Sequence, residues 1–148
     1  MKNLLVQKKK VKFDDIELEF KALTTNDLFA LLNDYPDFVN WLFAGVDIES
    51  QEEFSRTVFM KYPQIMSLIL ALTCCNLEKV TEEKLSMEEK LEIFIGCNIT
   101  NSLEALNAVV ELTFKSGVAA TVGKWKRDLN VIMEIFFQAK TEASHQSK

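Results

Sequence analysis

Residues 11–35, VKFDDIELEFKALTTNDLFALLNDY, change their apolar period from two to the helical repeat, and that change decides the fold. Val11 and Phe13 point one way while Lys10 and Lys12 point the other; Ile16, Leu18 and Phe20 then alternate with Glu17, Glu19 and Lys21. Alternation at period two is the signature of a strand with one buried face. Asp14-Asp15 interrupts the phase and reads as the loop of a short hairpin over about residues 8–21. Lys on one strand and Glu on the other would form favourable cross-strand pairs. Two strands alone are marginal, so the ribbon must pack on helices or pair with another subunit.

From Thr24 onward the pattern is helical. Thr24 or Thr25 caps a helix carrying Leu28, Leu31, Leu32 and Tyr35, which Pro36 ends. Phe38, Trp41 and Leu42 make a second helix that stops near Gly45, and a polar link from Asp47 to Gln51 leads to Phe54, Val58, Phe59 and Tyr62. Pro63 stands where a new helix can begin, with Ile65, Leu68, Ile69 and Leu72 behind it. The acidic stretch Glu78 to Lys84 reads as an exposed connection. Ser86 to Glu89 is a capping box before Leu91, Phe94 and Ile95, and Asn101 with Glu104 is a weaker one before Leu103, Leu106, Val110 and Phe114. Ser116-Gly117 separates these from a last helix, about Val118 to Lys140, with Val122, Trp125, Leu129, Ile132 and Phe136 on one stripe. The expected fold is therefore mainly α: a single domain, residues 1–140, of about six helices with an N-terminal β-hairpin, then a disordered polar tail at 141–148.

Composition narrows the function. A length of 148 residues with 48% hydrophobic content and eleven Phe suits one well-filled core. The net charge of −5 argues against nucleic acid, whose binding depends on neutralising phosphates. Its layout is uneven: residues 34–111 hold 14 acidic against 5 basic side chains, while residues 115–140 hold 5 basic against 2 acidic. Such a layout either guides association or is the ordinary solvated surface of helices. Cys74, Cys75 and Cys97 lie in apolar helical stretches without a CxxC, which reads as buried free thiols in a reducing compartment. Met1–Val6 does not read as a signal peptide, and the apolar run from Ile65 to Cys75 is about half of the roughly 20 residues a membrane span needs. The expected location is the cytoplasm, with no membrane and no nucleic acid among the partners.

No spacing marks catalysis. The single His is His145 in the polar tail, and no cysteine pair stands ready to share a metal with it. Gly117 to Lys124 has five residues between its glycines and Trp125 after the Lys, where a phosphate loop needs four and a Ser or Thr. The acidic pairs Glu82-Glu83 and Glu88-Glu89 sit in a linker and a first helical turn, where acids favour the helix dipole. The expectation is a non-enzyme with no cofactor, no metal and no catalytic residue.

Binding is then the remaining activity. Buried aromatics dominate interface energies, which singles out Trp41, Phe43, Trp125, Phe136 and Phe137 as core or anchor residues. Phe43 and Phe137 fall off the main stripes of their helices; Val131 and Ile135 also leave the stripe of the last helix. A helix apolar over much of its circumference is either buried or presents a face to a partner. Phe43, Trp125, Phe136 and Phe137 are the candidate partner-binding residues.

Several phrases carry a resemblance. The strand pair Val11–Phe20 runs into Ala22-Leu-Thr-Thr-Asn-Asp-Leu28; Tyr35-Pro-Asp-Phe38 breaks the first helix; Lys84-Leu-Ser-Met-Glu-Glu-Lys-Leu91 opens another; Leu103–Phe114 with Lys115-Ser-Gly-Val118 precedes the last. In this order they resemble the tail assembly chaperones of long-tailed bacteriophages, encoded just ahead of the tape measure protein. The resemblance covers roughly residues 11–130. It implies a non-enzymatic assembly factor in the host cytoplasm, absent from the mature virion. Such a factor coats the tape measure protein and keeps it soluble. A frameshift-extended form recruits tail tube protein, and a homo-oligomer is expected. The rival expectations are a structural head–tail connector or completion protein of the virion and a generic helical protein-interaction module.

Overall fold

A computed structural model describes the backbone of residues 7–43 and 50–146, with side chains for those up to 132 and for residues 134 and 135. The readings for Met1–Val6, for the stop at Gly45, for the link from Asp47 as far as Glu49 and for the side chains of Phe136, Phe137 and His145 lie outside the described residues.

The period-two segment is a hairpin. Strand β1, Lys8–Phe13, pairs antiparallel with β2, Ile16–Lys21, around the loop Asp14-Asp15. Asp14 takes a left-handed φ of 58°, a conformation Asp tolerates better than most side chains. The register sets Lys10 opposite Glu19 and Lys12 opposite Glu17, and Lys10 Nζ lies 3.7 Å from Glu17 on the solvent face. Val11, Phe13, Leu18 and Phe20 form the buried face.

Eight helices follow among the described residues. Helix α1, Thr25–Asp34, is capped by Thr24 in a reciprocal box with Asp27, and Lys21 Nζ bonds the same Asp27 carboxylate at 3.2 Å. Pro36 opens α2, Pro36–Phe43, because a residue without an N–H loses nothing in a first turn. Ser50 caps α3, Gln51–Lys61, and Pro63 opens α4, Pro63–Thr73. Helix α5, Leu77–Thr81, is followed by α6, Met87–Ile95, with the Ser86–Glu89 capping box formed in both directions. Then come α7, Ile99–Thr113, and α8, Val118–Gln146. Gly117, at φ 97°, makes the turn between them, where a Cβ would be strained.

Helix α7 is the centre. It touches both strands, α3 and α4, and its Ala105, Leu106, Val109 and Val110 are buried. Every residue from Ile65 to Ala71 of α4 is buried too, as expected of a helix apolar all round. Two aromatic groups tie the layers. Phe13, Phe20 and Phe94 meet with ring centroids 6.0–6.1 Å apart, joining hairpin to α6. Phe38, Phe54, Phe114 and Trp125 form a chain across α2, α3, the end of α7 and α8, with Phe54–Phe114 edge-to-face at 4.8 Å.

The hairpin thus packs on helices. The outer edge of β2 is sealed as well: Cys75 N–H donates to Glu19 O at 2.8 Å. The Asn76 side chain accepts from Glu19 N–H at 2.9 Å and donates to Glu17 O at 3.1 Å, so one amide serves as a substitute strand.

Four local expectations are corrected. The acidic stretch holds α5, because Leu77 is buried beside β2 and fixes a helical turn there. The cap of α7 is Asn98, bonding Thr100 N–H at 2.8 Å, and not Asn101, which lies one turn inside the helix. Cys75 is exposed rather than buried, since the chain leaves its helix at Cys74 to run along β2. The last helix does not end at Lys140, and the segment read as a disordered tail stays helical through Gln146. Its Ala139, Lys140, Glu142 and Ala143 are good helix formers and no Gly or Pro interrupts them.

Replacing Asn76 by Ala strands a part-buried N–H and a carbonyl at once. The expected loss of unfolding free energy, read from urea denaturation, is about 1–3 kcal/mol; a change within about 0.5 kcal/mol contradicts the sealing role.

Candidate partner-binding site

Helix α8 carries two exposed apolar side chains, Val131 and Ile135, beyond its buried stripe. Its first half is anchored: Val118, Trp125 and Leu129 are buried at helical spacing, and Trp125 meets Phe114 edge-to-face at 5.7 Å. Thr25 Oγ1 donates to Asp128 at 3.3 Å, which adds a polar tie to α1. Beyond Leu129 the character changes. Val131 and Ile135 are 55% and 60% exposed, one turn apart on one face. Helix continues for roughly 25 Å past Leu129, at about 1.5 Å per residue.

The sequence candidates separate accordingly. Trp125, 4% exposed, belongs to the core and is out of reach of a partner, which corrects its place among the binding residues. It takes the inward position of the stripe, where an aromatic of its size completes the seal of α8 against Phe114. Phe43, the last residue of α2, is half-buried against the core. Trp41 is likewise half-buried, stacked on Phe38 at 5.7 Å. Phe136 and Phe137 follow Ile135 directly in α8.

Exposed apolar residues that the candidate set missed are Ile16, Met60, Met87, Ile95 and Ile99. Ile95, named with Leu91 and Phe94 among the apolar residues of this helix, is 65% exposed. Phe94 occupies the inward position, and the next residue is turned about 100° away from it. Asn101 Nδ2 donates to Asp14 Oδ1 at 3.4 Å, so the hairpin turn lies beside the start of α7 that carries Ile99.

Among the described residues, no group of three or more His, Cys, Asp and Glu could hold a metal ion, and no helix is long and apolar enough to cross a membrane. The thiols are free. Burial pushes the Cys74 thiol up from 9.0 to about 11, against a smaller opposing effect of the Asn76 backbone; burial also raises Cys97. No family model, no curated protein and no solved structure matches this chain.

The shift of Cys74 has a sign that can be checked. The fold favours its neutral form, so its contribution to stability is complete below pH 9.0 and is lost as the pH rises through about 11. At pH 8, alkylation followed by peptide mapping should modify exposed Cys75 first, with Cys74 slower by about tenfold or more. Equal rates contradict the burial argument.

Proposed function

We propose that this chain is a non-enzymatic tail assembly chaperone of the long-tailed phage type, acting in the host cytoplasm and leaving before the virion is complete. Its client is the tape measure protein, which it binds and keeps soluble; tail tube protein is recruited through a frameshift-extended form. The observation that carries this reading is the exposed Val131–Ile135 face on a helix whose first half is anchored through buried Trp125. An apolar helical face beside a rigid domain can cover apolar helical segments of a client, the mode by which amphipathic helices meet in grooves. Copies of the chain lined along an extended client would form the expected homo-oligomer.

A second reading has one observation in its favour. Ile16, Ile95 and Ile99 are exposed around the hairpin end, apart in sequence from α8, and two apolar regions suit a head–tail connector with neighbours on two sides. A connector persists in purified virions, whereas a chaperone does not.

The chaperone reading is tested by co-expression with the tape measure protein. Wild-type chain should keep the client in the soluble fraction. A Val131→Glu, Ile135→Glu double variant, folded by circular dichroism, should lower the soluble client about tenfold, as charges replace a desolvated apolar contact. Equal solubilisation by wild type and variant contradicts the α8 site.

A further inference from the structure

The two edges of the hairpin are treated differently. In this register Phe13 and Ile16 close the loop as a hydrogen-bonded pair, and so Val11 with Leu18 and Lys9 with Phe20 are bonded pairs too. The N–H and C=O groups of Glu17 and Glu19 therefore point away from β1, where Cys75 and Asn76 take them up. By the same alternation the backbone groups of Lys8, Lys10 and Lys12 point outward from β1. Among the described residues no hydrogen bond meets them. A groove of about 470 Å³ runs beside this edge, between β1 and the Glu104, Asn107, Ala108 and Glu111 positions of α7.

An open edge is a template for another strand, and its side chains decide which one. Lys8, Lys10 and Lys12 all lie exposed on the outer face. A second copy of β1 laid antiparallel would set Lys against Lys, a destabilising cross-strand pairing. Inside the hairpin the solution is visible, because Lys10 and Lys12 face Glu19 and Glu17. On the inner side, Lys9 is already engaged by Glu111, and the α7 wall is polar with only Ala108 small and apolar. The groove thus suits small polar side chains.

We propose that the outer edge of β1 receives an extended segment of a partner protein as a third strand, with acidic residues at alternate positions facing Lys8, Lys10 and Lys12 and small polar residues between them. The lysines reject a second copy and select the acidic strand. This site lies on the hairpin, independent of α8, and it stands whether or not the client is a tape measure protein.

The probe is the labelled peptide acetyl-Thr-Glu-Thr-Glu-Thr-Glu-Thr-amide, with the Lys-for-Glu peptide as control. Fluorescence anisotropy gives the affinity, and amide exchange by NMR gives the location. The acidic peptide should bind, the basic one should not, and the amides of Lys8, Lys10 and Lys12 should slow at least about tenfold. Lys10→Ala with Lys12→Ala, which keeps the hairpin's own ladder, should weaken the acidic peptide about tenfold. A Lys10→Glu, Lys12→Glu variant, its fold checked by circular dichroism, should reverse the preference. Four results overturn the proposal: no binding up to about 1 mM acidic peptide, equal binding of both peptides, protection outside β1, or protection that grows with protein concentration in the absence of peptide. The last would make a second copy the occupant.

Discussion

One helix has to satisfy neighbours on nearly every side, and the rest of the molecule follows from how α7 does so. Ala105 and Val109 have no exposed surface, and they lie on a helix shared by two strands, α3 and α4. Backbones can approach a helix closely only where its side chains are small, so alanines at 105 and 108 make room for neighbours that bulkier residues would hold off. The hairpin cannot be stable by itself. It is held by the burial of Val11, Phe13, Leu18 and Phe20 and by a seal made from the Cys75 N–H and the Asn76 side-chain amide. Phe114, just past α7, then passes the packing on to Trp125 and so fixes the start of α8. Removing α7 would take away the helix that both strands, α3 and α4 share.

Much of this was legible in the sequence because local chemistry and tertiary structure agree. The hairpin, its Asp14-Asp15 loop and its Lys–Glu pairing follow from alternation alone, and Thr24, Ser86, Pro36 and Pro63 stand where the structure uses them. What was not legible depended on partners distant in the chain. Leu77 stands just ahead of the acidic stretch Glu78 to Lys84; only β2 lying beside it makes α5 worth forming. Asn98 and Asn101 are both competent caps, and the choice falls to the one that leaves Ser102 buried inside the helix. Ala105 and Ala108 carry no periodic signal of their own, yet they line the centre.

The candidate binding surface was legible to a smaller degree, for a related reason. An aromatic residue marks a large payload without saying whether core or partner receives it. Trp125 went to the core, and Phe43 is shared between core and solvent. The better signal was phase: Val131 and Ile135 depart from the stripe of Trp125 and Leu129, and they are the side chains left exposed. Phase failed at Ile95, where a helix of only nine residues gives too short a window to tell the inner from the outer of two adjacent apolar positions.

The account's central claim is that α8, anchored through Trp125, meets a client with the face that carries Val131 and Ile135. Hydrogen exchange, followed by mass spectrometry on the chain alone and in complex with the tape measure protein, tests it most directly. The claim predicts that protection gained on binding concentrates after Leu129, while α4 and α7 exchange as slowly as before. Protection gained elsewhere, with no change in the second half of α8, would contradict it.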